Sequence, residues 1–216
     1  MKKLIIYGTG LIAELAEFYF INDTDYQIAA FTNASEFITD SHFHNKPLIS
    51  FEGIEDKYSP TEYEIFIALG YKKTNQVRQS RYYEAKDKGY TCATYISPRA
   101  TYYNTPVGEN CFILENNVIQ PFVSIGNNVT LWSGNHIGHH STIRDHCFIS
   151  SHVVVSGGCD IGENCFLGVN ATLRDNIKLG FFVVAGSGAI LMKDCEERSV
   201  IKAPESTCRI IKKDII

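Results

Sequence analysis

The stretch Val155-Ser156-Gly157-Gly158-Cys159-Asp160-Ile161-Gly162-Glu163-Asn164-Cys165-Phe166-Leu167-Gly168-Val169-Asn170-Ala171-Thr172-Leu173 carries an aliphatic residue at every sixth position. Followed outward, the period runs without a slip from Val107 through Ile113, Ile119, Ile125, Leu131, Ile137, Ile143 and Ile149, and on through Leu179 and Ala185 to Leu191. Of these positions only Ala185 is not Ile, Leu or Val. Four residues after each aliphatic the side chain is small or β-branched almost throughout, as at Cys111, Val123, Ser141, Cys147, Val153, Cys159, Cys165 and Ala171. A glycine often follows the aliphatic directly, as at Gly108, Gly126, Gly138, Gly162 and Gly180. This pattern predicts a left-handed parallel β-helix, in which each hexapeptide gives one flat side and one corner of a triangular coil, and three close a coil of about 18 residues. The aliphatic points into the prism, the small residue sits inside near the corner, and Gly or Asn tolerates the corner's backbone angles. About five coils are expected. Cys111, Cys147, Cys159 and Cys165 all fall on the small inward site, where a thiol acts as a small hydrophobe. The odd total of seven cysteines, with no C-x-x-C pair, argues against a disulfide framework and a zinc ribbon.

The first 95 residues instead alternate strand and helix. Lys3–Tyr7, Tyr26–Thr32, Glu64–Leu69 and Tyr90–Ile96 read as strands; Leu11–Ile21 and the polar stretch Lys72–Lys88 read as helices. Asn33–Ser59 holds turn signals and Pro47 without a clear period, and is expected to be loops with one short helix. The fold class is therefore α/β, a small Rossmann-like parallel sheet over residues 1–97, followed by a hexapeptide β-helix over 98–216 with Pro98 at the junction. After Leu191 the register ends, and Met192–Ile216 reads as a C-terminal cap of mixed structure.

Composition narrows the partners. The chain has 216 residues, 44% hydrophobic and 20% charged, with a formal net charge of −4 and no Lys/Arg run approaching the five or more of a basic tract, which supplies no basic field for nucleic acid. Its apolar runs are far shorter than the roughly 20 residues that span a bilayer. Met1-Lys2-Lys3 leads straight into a strand rather than a signal-peptide core, so a cytoplasmic protein without membrane contact is expected.

Five of the seven histidines, His136, His139, His140, His146 and His152, lie within seventeen residues, and the register places all of them outside the core. His140, His146 and His152 are six apart, so they sit on successive faces and cannot converge on one metal within a chain; no metal is expected. Flat β-helix sides commonly pack around a three-fold axis, and an imidazole in a cleft between prisms can act as a general base at neutral pH. One coil beyond His139 lies Gly157, followed by Gly158; a backbone N–H there is a candidate oxyanion donor. Gly8-Thr9-Gly10-Leu11-Ile12-Ala13 follows a strand and opens a helix, so its amides are a candidate diphosphate site. The second strand ends Phe31-Thr32-Asn33, without the acidic residue a dinucleotide site needs. Gly70 and Tyr71 lie on the same sheet edge, and Trp132 and Asn135, as outward or corner residues before His139, are candidate sugar contacts.

With both domains and the strings Gly138-His139-His140 and Ser156 to Gly168 together, the chain resembles the bacterial nucleotide-sugar N-acetyltransferases and the sialic acid O-acetyltransferases of the same architecture. The resemblance spans essentially the whole chain. It implies an acetyl-CoA-dependent homotrimer, with active sites between subunits, that acetylates the amino group of a UDP- or dTDP-linked amino-dideoxy sugar for surface glycan synthesis. The family's catalytic histidine falls on His139, its oxyanion glycine on Gly157, its nucleotide-binding glycines on Gly8, Gly10 and Gly70, the last beside Tyr71. Coenzyme A would run near Gly157, Asn170, Ala185 and Ser187. Two departures stand out: His140 occupies the place of a carboxylate that commonly follows the catalytic histidine, and the tail reads Ala203-Pro204-Glu205. Asp145, Glu115 or a neighbouring chain would then have to supply a carboxylate. The alternatives are sugar O-acetylation by the same fold, a zinc-dependent β-helix hydratase with histidines from two chains, and a non-catalytic sensor or scaffold.

Overall fold

The computed structural model describes residues 2–204. The last part of the expected C-terminal cap, residues 205–216 with Glu205 and Cys208, lies outside them. The N-terminal part contains β1 (Lys2–Tyr7), α1 (Leu11–Asp23), β2 (Tyr26–Asn33), β3 (His42–Phe43), β4 (Lys46–Ser50), β5 (Tyr63–Ile67) and α2 (Gln76–Asp87). The sheet order is β3-β4-β2-β1-β5, parallel except for the β3–β4 pair. Alternation along β1 sorts its side chains: Leu4 and Ile6 pack with Ala13, Ala16 and Phe20 of α1, while Ile5 and Tyr7 pack with Tyr82 and Ala85 of α2. The stretch expected to be loops holds β3 and β4. Pro47 masked them, yet β4 pairs with β2 through Leu48, Ile49 and Ser50, clear of the proline. The strand expected over Tyr90–Ile96 is split: Cys92 bridges Ile65 of β5, whereas Tyr95–Ile96 pairs with Phe112–Ile113. The β-helix thus begins at Tyr95, before Pro98.

Residues pair with partners 18 apart, as Thr130↔Phe148, His136↔Val154 and Thr142↔Asp160, which builds three parallel sheets. We call the sides C (through Phe112, Thr130, Phe148 and Phe166), D (through Val118, His136, Val154 and Thr172) and E (through Ser124, Thr142 and Asp160). Every sixth residue from Asn110 to Gly188 turns a corner at positive φ. Asn holds six of these fourteen corners and Gly three, but Phe122, His140, His146, His152 and Phe182 adopt φ of 58–67° as well. The glycines that follow the aliphatics do a different job from the one expected: at Gly138 or Gly162, φ is not positive, but a Cβ would meet backbone of the next coil at 2.6 Å. The inward thiols and Ser141 are hydrogen-bonded as well as packed. Cys111, Cys147, Cys159, Cys165 and Ser141 each donate to the carbonyl 15 residues on, at 3.1–3.2 Å. Burial raises the Cys111 thiol to about 12 and moves Cys147 and Cys159 upward, so they are inert. Beyond Leu191 the coil continues with two residues removed: Val200 pairs with Val184 and Cys195 with Leu179, 16 apart instead of 18.

The first domain is seated on side C by fully buried Arg78 of α2. Its guanidinium donates to Asn128 Oδ1 and to the carbonyls of Asn128, His146 and Cys147 at 2.9–3.1 Å, and to Gly70 O at 3.4 Å. Burial lowers its pKa only to about 10, so it stays charged, satisfied by the carbonyls of stacked corners. Asn75 Nδ2 adds bonds to the carbonyls of Asn164 and Cys165. Lys73, Thr74 and Asn75 all have positive φ, a left-handed turn that the expected helix over Lys72–Lys88 does not contain; these contacts offset its cost.

Replacing Gly162 by Ala forces a Cβ onto the Gly180 and Leu179 carbonyls. Urea unfolding of Gly162→Ala is expected to show a loss of about 1–3 kcal/mol, whereas His152→Asn, at a corner that Asn fills elsewhere, should be neutral or stabilising.

Candidate active site

The sheet's carboxyl edge gathers the first half of the site. Gly8 has φ +125°, its N–H donates to Thr32 O at 2.8 Å, and a Cβ there would lie 2.9 Å from Ala68 O, so the turn requires glycine. Gly10 caps α1 without a side-chain bond, and a Cβ on it would meet nothing within 4 Å, which leaves the helix N-terminus open. Asn33 ties this turn to β2: its Nδ2 donates to Thr9 Oγ1 and its Oδ1 accepts from Ala34 N–H. Gly70 lies against Ile12, and Tyr71, half exposed, packs its ring on Phe148 and Phe166 at 5.0 and 4.7 Å between centroids. Trp132 stacks on the other flank of Phe148 at 5.9 Å. Gly8, Gly10, Gly70, Tyr71 and Trp132 therefore share one region, where the sheet edge meets side C. Phe148 and Phe166, which join Tyr71 to Trp132, escaped the sequence reading. Their signal was an aromatic at the outward hexapeptide position, repeated at a spacing of 18.

The second half lies at the vertex between sides D and E. His139 is exposed, and its ring lies across Gly157 so closely that a Cβ there would be 2.6 Å from Cε1 and 2.8 Å from Nε2. Its backbone N–H donates to Gln120 Oε1 at 2.9 Å, and its Nδ1 is 3.1 Å from Nδ1 of His140. Gly157 thus makes room for the imidazole. Its own N–H donates to Asp175 Oδ1 at 3.0 Å, so the expected oxyanion role is corrected: that donor is already engaged. Neither expected carboxylate orients His139. Glu115 accepts from Tyr19 and Ser133, and Asp145 accepts from Asn127.

Three further expectations are corrected, those for Asn135, Ala185 and His146. Asn135 is buried, four residues after Leu131 and hence on the inward site; its Nδ2 donates to Trp132 O and its Oδ1 accepts from Val153 N–H, leaving nothing for a sugar. Ala185 points into the prism, and its carbonyl accepts from Gly168 N–H. Asn170 and Ser187 are exposed at the C/D vertex, across side D from Gly157. His146 is buried, not outward: α2 covers its corner, Nε2 meets Tyr83 Oη at 3.0 Å, and Nδ1 meets Asn128 Nδ2 at 2.9 Å. Among the described residues no group of three His, Cys, Asp or Glu side chains could hold a metal ion, and no helix is long and apolar enough to cross a membrane.

Residues 104–139 and 140–175 match the bacterial transferase hexapeptide family model, which describes six repeats. Over 93–94% of the chain the fold is that of solved acetyltransferase structures. One is a His-to-Asn variant of perosamine N-acetyltransferase from Caulobacter crescentus, in complex with CoA and GDP-perosamine. It is 20% identical with a TM-score of 0.81, covering 94% of this chain and 98% of that one. The acetyltransferase domain of PglB from Neisseria gonorrhoeae is 19% identical with a TM-score of 0.62, covering 93% and 96%. WeeI from Acinetobacter baumannii is 14% identical with a TM-score of 0.70, covering 93% and 96%. A search of curated protein sequences finds no significant match. At these identities the likeness establishes the fold, an α/β sheet joined to a left-handed β-helix.

Burial, with the Arg78 charge nearby and against the attraction of Asp145, lowers the His146 pKa to about 4. The unfolded chain protonates near 6.5, so stability is intact above that pH and falls as pH drops from about 6.5 to 4, by on the order of 3 kcal/mol. Urea midpoints at pH 7.5 and 4.5 should differ less in His146→Asn than in the wild type; equal losses would contradict the assignment.

Proposed function

We propose that this protein is an acetyl-CoA-dependent N-acetyltransferase acting on the amino group of a nucleotide-linked amino-dideoxy sugar, in cytoplasmic synthesis of a surface glycan. The observation that carries this reading is His139: an exposed imidazole held against Gly157 on the outer edge of a β-helix, with Nδ1 engaged by His140 and Nε2 left for an acceptor. The sugar amine attacks the thioester carbonyl, His139 Nε2 takes the amine proton, the C–S bond breaks, and the departing thiolate receives a proton in turn. The open N-terminus of α1 behind Gly8 and Gly10 suits the diphosphate, and the Tyr71–Phe148–Trp132 surface suits the adjoining apolar groups. UDP and dTDP are the sequence-based expectation for the nucleotide; the GDP-perosamine bound by the Caulobacter enzyme adds GDP.

The two halves of the site favour a homotrimer. The first domain covers side C, and His139 sits on the D/E vertex, opposite side C, so one chain does not bring its own halves together. Side D between them exposes Val118, Val154 and Ile190. Turning side D to a three-fold axis sets the D/E vertex of one copy beside the C/D vertex and sheet edge of the next. That groove would be walled by Gly157 on one copy and Asn170 and Ser187 on the other, and is our proposed path for coenzyme A.

Thiol release from acetyl-CoA, measured with a panel of UDP-, dTDP- and GDP-linked amino sugars, tests the reading. One amino sugar should be turned over, and His139→Ala should lower kcat about 10²–10⁴-fold. Turnover of hydroxyl sugars alone would replace N- by O-acetylation, and no thiol release from any sugar would overturn the enzyme reading.

A further inference from the structure

We propose that His140 is a positioning residue for the reaction above: it accepts a hydrogen bond from His139 Nδ1–H and so fixes the tautomer that leaves His139 Nε2 free to take a proton. This rests on the acetyltransferase reading for its consequence, but not for its geometry. Two Nδ1 atoms at 3.1 Å share a single hydrogen, so one ring donates and the other accepts. If His139 donates, its Nε2 carries a lone pair, and His140 carries its own proton on Nε2. If His140 donates, His139 is protonated at Nε2 and is no base. The ring planes meet at 85°, so the two imidazoles do not stack, and their contact is through the two Nδ1 atoms.

Both rings are fixed by the coils on either side. From the coil before, Phe122 lies against His140 at 4.6 Å between centroids, and Gln120 Oε1 accepts the His139 backbone N–H. From the coil after, Gly157 receives the His139 ring, and the Asp175 carboxylate beyond it is taken by Gly157 N–H. Among the described residues no carboxylate is hydrogen-bonded to either imidazole. Phe122 is three-quarters exposed at a corner with φ of +67°, a conformation that suits Asn or Gly far better. Its contact with His140 gives that exposed ring a role at this vertex. The pair therefore does with a neutral imidazole what an anionic carboxylate would do.

The corner itself supplies clean variants. Gly occupies the same left-handed position at Gly134, Gly158 and Gly188, and Asn does so at Asn128, Asn164 and Asn176. His140→Gly removes the acceptor without backbone strain. His140→Asn keeps it, because Oδ1 of Asn sits the same number of bonds from the backbone as Nδ1 of His. The experiment combines ¹⁵N ring spectra of His139 with kcat and KM across pH for wild type and both variants. The expected result is Nδ1–H at His139 in the wild type and in His140→Asn, and loss of that preference in His140→Gly. In parallel, kcat should fall roughly 10²-fold in His140→Gly, with KM for acetyl-CoA little changed and most activity restored in His140→Asn. An Nε2–H His139 in the wild type, or wild-type turnover in His140→Gly, would overturn the proposal. Were no sugar acetylated by the wild type, the acetyltransferase reading would fail, and the ring spectra alone would still decide the His139–His140 arrangement.

Discussion

The structure depends on one backbone constraint: a strand that must turn a tight corner every six residues, with a single residue at positive φ at each turn. That conformation is costly for a residue with a branched or bulky side chain and mild for Asn or Gly. From it follow the stacking of coils at a spacing of 18 and the alignment of corner side chains into columns. The glycines beside the aliphatics follow too, since adjacent coils approach too closely there for a Cβ. Columns then become the chemistry. Phe122, His140, Gly158 and Asn176 stand in one, and His139 and Gly157 stand beside them.

A second constraint places the two domains. Arg78 is a buried cation with no salt-bridge partner among the described residues, balanced by oxygens that the corner column of Asn128 and His146 presents. Those carbonyls line up only because the corners do. The first domain is therefore locked on side C, its α1 shares a core with Phe112 and Leu114, and the His139 vertex faces away from it. On the reading proposed above, a site made of both halves uses a neighbouring copy, which joins assembly to catalysis.

What could be read from the sequence was what the period alone decides: the β-helix, its inward aliphatics and thiols, and the main strands and helices of the first domain. Asn135 was legible too, for it sits on the small inward site by the same count that places Cys147. Its polarity misled, because an amide bonding two backbone groups is as good a core residue there as a thiol. His146 was not legible. Its burial comes from Tyr82 and Tyr83 on a helix more than sixty residues earlier, and nothing local records that contact. The left-handed turn at Lys73–Asn75 is likewise stabilised by carbonyls of a distant column. Gly157 was found for a sound reason, close approach, but what approaches it in the chain is the His139 ring, and its N–H was already committed to Asp175.

The claim at the centre is that each active site takes its base from one copy and its nucleotide surface from the next. Mixing two inactive chains tests it: His139→Ala, which lacks the base, and Gly10→Glu, which places a carboxylate over the open N-terminus of α1. Unfolded together and refolded as mixed assemblies, they should regain about a quarter of wild-type acetyl transfer, because random pairing leaves that share of sites with both intact halves. Mixed assemblies as inactive as either parent would contradict the shared site and confine catalysis to single chains.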